Sequence, residues 1–166
     1  MDSPTDGVEL LRIGLRQVGL YEFVQQDELL WRAPLLAALD EVERERLLTA
    51  GRVRGVGGGE LLLAEAAVAD ALYLLLDGHV VLAADGGAID LAMLTKGDFF
   101  GLSALFGNAA RPAAQAAEGG ARVALLPAAE LTRLAQRHSA LGRLLARTAK
   151  QRHARYSECQ SFLDLW

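Results

Sequence analysis

Gly97-Asp98-Phe99-Phe100-Gly101-Leu102-Ser103-Ala104-Leu105, followed six residues on by Arg111-Pro112-Ala113-Ala114, decides how this 166-residue chain is read. Glycines on either side of an aromatic pair mark tight turns. A helical turn opening at Gly101 leaves backbone N–H groups unpaired at its start, and such groups attract an anion. Arg111 presents a planar fork that can give two parallel hydrogen bonds to phosphate oxygens, a geometry lysine lacks. Turn, amides and arginine are together the parts of a phosphate cradle.

The flanking sequence predicts a β framework around that cradle. From Val53 onward, short apolar runs alternate with glycine-bearing turns: Gly57-Gly58-Gly59 before Glu60 to Leu63, and Ala71 to Leu76 before Asp77-Gly78 and His79 to Leu82. Asp85-Gly86-Gly87 then precedes Ile89 to Leu94, and Glu118-Gly119-Gly120 separates Ala113 to Ala117 from Arg122 to Leu126. An Asp-Gly pair between two apolar runs is a hairpin signal. Strands at this spacing, with turn chemistry between them, predict an antiparallel barrel or jelly roll.

Helical patterns bracket the framework. Val8, Leu11, Leu15 and Val18 recur at helical spacing, a second patch covers Phe23 to Trp31, and Pro34 breaks the chain before Leu35. Asp40 with Glu43 three residues later has the capping-box pattern and opens a helix through Leu48. Asp27, Glu28, Asp40, Glu41, Glu43 and Glu45 make this front part acidic, as expected of a solvated helix face or of a docking surface. Beyond Pro127, one helix is predicted over Ala128 to Arg137, and Ser139 can cap a longer one. That last helix carries Arg143, Arg147, Lys150, Arg152 and Arg155, read as a solvated face or a contact for an acidic partner. Leu141, Leu144, Leu145 and Thr148 fall on another face, and Leu141, Leu145 and Thr148 offer a seam for a homodimer. The sequence closes on the apolar Phe162-Leu163-Asp164-Leu165-Trp166.

Composition sets the bounds. At 52% hydrophobic and 23% charged residues the chain is globular, and a net charge of −4 disfavours nucleic-acid binding as its main role. The single Cys159 excludes an intramolecular disulfide and fits a reducing compartment. No stretch resembles a secretory signal or reaches the length of a membrane span, so a cytoplasmic protein without membrane contact is expected. His79, His138 and His153 lack metal-ligand spacing, Cys159 has no nearby ligand partner, and Gly101-Leu102-Ser103-Ala104-Leu105 lacks the second glycine of a nucleophile elbow. Neither a catalytic residue nor a metal site nor a cofactor is expected, and the chain is read as a non-enzyme.

Gly59-Glu60 with Glu65, Ala69-Asp70-Ala71 through Gly78-His79-Val80, Gly97-Asp98-Phe99-Phe100-Gly101, and then Arg111 together resemble the cyclic nucleotide-binding domain family, which includes the CRP/FNR regulators and the regulatory domains of kinases and channels. The resemblance covers about Leu35 to Arg155. It implies an eight-stranded jelly-roll barrel with flanking helices, divided as an N-terminal helical segment over 1–30, a barrel domain over 31–138, and a C-terminal helix and tail over 139–166. It also implies a phosphate-binding cassette from Phe100 to Phe106 plus Arg111. The candidate ligand-binding residues are Gly101, Leu102, Ser103, Arg111 and Ala113, with Tyr156 and Ser157 meeting the base from the last helix.

Two residues depart from the family pattern. Leu102 stands where the family usually has a glutamate that accepts from the ribose 2′-hydroxyl, a bond of about 1–3 kcal/mol. Pro112 replaces a small residue and brings neither a hydroxyl nor an N–H. Two functions are therefore open. One is a sensor of a phosphorylated ligand, a cyclic nucleotide or cyclic dinucleotide, with weak or altered specificity and a last helix that closes over it. The other is a ligand-free barrel that docks a partner protein through its acidic helices or apolar end. The helix-turn-helix of CRP-like transcription factors is not found after the last helix, so no DNA binding by the chain itself is expected.

Overall fold

The computed structural model describes residues 19–164, with side chains described through Cys159. The helix expected from Val8 to Val18, and the side chains of Phe162, Leu163, Leu165 and Trp166, lie outside the described residues. The front part is a run of helices: α1 (Leu20–Gln26), α2 (Glu28–Trp31), α3 (Pro34–Ala37) and α4 (Glu41–Ala50). Asp27 divides the first two because its carboxylate accepts from the Leu30 N–H and caps α2. Pro34 occupies the first turn of α3, where its missing N–H costs nothing. The Asp40 carboxylate accepts from the Glu43 N–H at 2.8 Å and starts α4, as the capping pattern predicts.

Six strands follow: β1 (Arg52–Val56), β2 (Leu61–Leu63), β3 (Ala71–Ala84), β4 (Ile89–Leu94), β5 (Phe99–Phe100) and β6 (Ala113–Pro127). The chain ends in α5 (Ala128–Arg137) and α6 (Ser139–Asp164). All strand pairings are antiparallel, and β3 against β6 is the spine of the sheet. Around the first half of β3 lie β5 and, across β6, β1; around its second half lie β4 and, across β6, β2.

The expected eight-stranded barrel is corrected: among the described residues six strands form, and the sheet does not close. The difference comes from two glycine pairs read as hairpin turns. Asp77-Gly78 lies inside β3 and Glu118-Gly119-Gly120 inside β6, so each element is one long strand of 14 or 15 residues rather than two short ones. The register between them slips on both sides of Gly78, which marks bulges that bend the pair. Gly78 has φ +82°, and a Cβ there would meet the Gly120 carbonyl oxygen at 2.2 Å. The chain does not reverse at these positions because the two backbones lie against one another and bend together. Asp85-Gly86-Gly87, by contrast, is the β3–β4 turn that the sequence predicts.

Two hydrophobic cores share the sheet. Leu72, Leu74 and Leu76 of β3 pack with the helices, in a core that includes Leu30, Leu36, Leu48, Leu131, Leu141 and Leu145. Their neighbours Tyr73 and Leu75 point the other way, into a core with Val80, Leu82, Phe100 and Val123. Side chains alternate across a strand, so a strand covered on both faces must be apolar at every position. That accounts for the unbroken Ala71-Leu72-Tyr73-Leu74-Leu75-Leu76. Leu141 and Leu145 are 0% and 1% exposed within the chain's own core, so the homodimer seam assigned to them is not an open surface.

The acidic front part is also partly committed. Asp27 pairs with Lys96, and buried Glu43 lies 3.2 Å from Arg133 Nη2, which also holds Glu130 at 2.9 Å. Glu41 and Glu45 remain exposed.

Gly78→Ala should destabilise the fold by more than about 3 kcal/mol in urea unfolding, because backbone must separate to admit the methyl group. Gly86→Ala, at φ +65° but with nothing within 4 Å of the added carbon, should cost only about 1 kcal/mol of backbone strain.

Candidate functional site

The cassette sits where β5 leaves the sheet. Phe99 and Phe100 face opposite cores, and the Phe100 ring stacks on Tyr73 with centroids 4.8 Å apart. Gly101 then adopts φ +87° and opens a 3-10 turn over Leu102–Ala104. A Cβ at Gly101 would come within 3.0 Å of both the Ala71 carbonyl oxygen and the Tyr73 ring, so only glycine lets the chain pass this close to β3. Ser103 is buried, and its Oγ accepts from the Ala69 N–H at 2.9 Å, which ties the turn to the start of β3.

Gly101, Leu102, Ser103 and Arg111 line one cavity of about 30 Å³, with Pro112 beside them. The structure thus brings together four of the seven candidate residues. Arg111 is half-buried, and its Nη2 donates to the Gly107 carbonyl at 3.1 Å; among the described residues it makes no ion pair with Glu118 or any other carboxylate. Ala113 is buried on β6 and is not part of the lining, although its neighbours Pro112 and Ala114 are. Leu102 is 5% exposed and belongs both to the cavity wall and to the helix-facing core. The glutamate position is therefore filled by hydrocarbon, continuous with Phe99 and Ala109.

The two candidates on the last helix do not reach the cavity. Ser157 is exposed. Tyr156 packs against the inner core, and its hydroxyl donates to Glu65 Oε2 at 2.8 Å. Glu65 also accepts from the Asp85 and Gly86 N–H groups at the β3–β4 turn, at 3.2 and 3.1 Å. One carboxylate thus clasps the helix, the β2–β3 connection and a hairpin tip. The Tyr156 hydrogen bond, followed by the two amides, holds the Glu65 carboxyl below its ordinary range against the opposing effect of burial.

The sequence places Arg152 in the basic stripe, on a solvated face or a contact for an acidic partner, and here the structure differs. Arg143, Arg147, Lys150 and Arg155 are exposed, whereas Arg152 turns inward, lines the cavity with Ala149, and sets its guanidinium 5.5 Å from the Phe99 ring centroid. Burial pulls Arg152 below the usual arginine range, and the Asp98 carboxylate opposes that shift. The signal lay in the helical spacing. Leu141, Leu145, Ala149, Arg152 and Tyr156 recur at intervals of three or four, so an arginine on that line faces the body of the protein. Among the described residues no group of three or more His, Cys, Asp or Glu is placed to hold a metal ion, and no helix is long and apolar enough to cross a membrane.

The model for the cyclic nucleotide-binding domain family matches residues 53–138, just over half of the chain. The chain is 32% identical over 122 residues to the cAMP-dependent protein kinase type II regulatory subunit of Drosophila melanogaster, a match covering 72% of the chain but 31% of that protein's length. Among solved structures, the regulatory domain of Toxoplasma gondii PKA in co-crystal with cAMP superposes with a TM-score of 0.65 at 25% identity, covering 80% of this chain and 50% of that one. The regulatory subunit of a cAMP-independent protein kinase A from Trypanosoma brucei superposes with a TM-score of 0.66 at 24% identity, covering 92% and 57%. The chain thus spans about a third of the length of its curated relative from Drosophila.

Tyr156→Phe should lower stability by about 1 kcal/mol at neutral pH, the worth of a half-exposed hydrogen bond to a carboxylate. Because the folded Glu65 carboxyl titrates below its unfolded value, that contribution is complete above the ordinary carboxylate range and vanishes as pH falls through the folded value. Denaturant titrations should therefore separate the two proteins at pH 7 and bring them together in acid.

Proposed function

The chain belongs to the cyclic nucleotide-binding domain family, and we propose that within it the chain is a non-enzymatic regulatory domain that senses a phosphorylated small molecule. One observation carries this: Arg111, the Gly101–Ser103 turn and the last helix all border the same cavity. Arg111 retains donors beyond the one committed to Gly107 and can hold phosphate oxygens bidentately. Amides at the turn supply the remaining donors, and the buried Ser103 hydroxyl can still donate its proton while its oxygen accepts from Ala69. The ligand meets Ala149 and Arg152 on α6, so its contacts differ between docked and displaced positions of that helix. A difference of this kind is what lets a ligand shift an equilibrium between two conformations.

Specificity differs from that of a conventional cyclic AMP site. A ribose hydroxyl facing Leu102 would lose its water and gain no acceptor, which weakens cyclic AMP by about tenfold to a hundredfold or more. A second reading draws on the same residue. With Leu102 integrated into the core and the cavity only about 30 Å³, the domain would serve as a ligand-free docking module.

Calorimetry with cyclic AMP, cyclic GMP and cyclic di-GMP separates the two. Measurable binding of any one supports the sensor, and Arg111→Ala should then weaken it by at least about thirtyfold, as expected for losing a charged hydrogen-bond partner of roughly 2 kcal/mol. Leu102→Glu should tighten cyclic AMP by about tenfold. Silence from all three at millimolar concentration would favour the docking module.

A further inference from the structure

We propose that the cavity is built for a doubly charged phosphate monoester, with Arg152 as a second phosphate-binding cation opposite Arg111; this rests on the phosphate-sensing reading above. The charge pattern of the wall is the first reason. Arg111 and Arg152 line the cavity; among the described residues no carboxylate does, and the remainder is apolar apart from Ser103 and backbone. Neither arginine makes an ion pair among the described residues. Arg111 donates to a carbonyl, and Arg152 lies over the Phe99 ring. The nearby Asp98 carboxylate is engaged at the β4–β5 turn, where its Oδ2 accepts from the Thr95 N–H at 2.8 Å and from the Thr95 hydroxyl at 3.4 Å.

Two cations bordering one hollow repel each other, and the Asp98 carboxylate offsets only part of the cost of burying Arg152, an arrangement that an anion in the hollow relieves. A cyclic phosphodiester brings one negative charge. A phosphate monoester brings between about 1.5 and 2 near neutral pH, with three strong acceptor oxygens to divide between two forks. The residue that would read a ribose, Leu102, offers no acceptor, so recognition falls on the phosphate. Both arginines border the same hollow of about 30 Å³, so a single phosphate group can meet the two forks. Among the described residues Ala149 and Arg152 are the wall contributed by α6, so a phosphate gains room when that stretch of helix withdraws.

The test compares adenosine 5′-monophosphate with 3′,5′-cyclic AMP by calorimetry on the full chain near pH 7.5. The monoester should bind at least about tenfold more tightly, the effect of one added charge-assisted contact. Arg152→Gln should bring the two ligands within about threefold of each other by weakening the monoester alone, and Arg152→Lys, which keeps the charge, should retain part of the preference. Equal or tighter binding of cyclic AMP by the wild-type chain overturns the proposal and leaves the phosphate-sensing reading in place. An equal loss for both ligands in Arg152→Gln overturns it as well, since Arg152 would then only support the wall. If neither nucleotide binds at millimolar concentration, the proposal falls, and the phosphate-sensing reading stands or falls with cyclic GMP and cyclic di-GMP.

Discussion

The fold depends on the antiparallel pairing of β3 with β6 and on the bend the two strands share. Residues 71–84 and 113–127 pair along nearly their whole length, and each of the other four strands is anchored to one of the two. At Gly78 the β3 backbone lies too close to β6 for any side chain, and at Gly120 the β6 backbone lies too close to Val56 of β1. Leu63, Leu82 and Ala114 from one half of the bent sheet meet Phe100 and Gly101 from the other in the wall of a single cavity.

A second constraint is that the sheet is covered on both faces. β3, β5 and β6 each send neighbouring side chains into different cores, so the cassette is held by Phe99 on one side and Phe100 on the other. This leaves little freedom in where Leu102 and Ser103 project. The last helix has more, because its C-terminal part is held by Arg152 over an aromatic ring, by Tyr156 on Glu65, and by a few apolar contacts. Electrostatically the site is asymmetric: among the described residues two arginines and no carboxylate line the cavity.

Much of this architecture was legible in the sequence. The cap at Asp40, the turn at Asp85-Gly86-Gly87, the span of α5 and the glycine at position 101 all follow from local rules that tertiary structure did not override, whereas the helical patch expected over Phe23 to Trp31 is divided by the cap at Asp27. The strand count was not legible, because a glycine that reverses a chain and a glycine that bulges within a strand look alike in one dimension; they differ only in what lies across from them. Site residues followed the same division. The residues that line the cavity from the cassette itself were found because their spacing is local. Tyr156 was placed at the base of a ligand although its hydroxyl is engaged by Glu65, a partner 91 positions away. Arg152 was missed because it was grouped with its charge rather than with its periodicity.

Leu102, Leu141, Leu145, Leu35 and Leu36 occupy one continuous hydrophobic cluster, so the cassette, the last helix and the entry helices are in mechanical contact. Displacement of the turn by a bound molecule would be felt at α3 through repacking of leucines, without any relay of hydrogen bonds. A message carried in this way is insensitive to salt and sensitive to volume. Among the described residues the front helices thus meet the cavity wall through leucines and share no charged group with it.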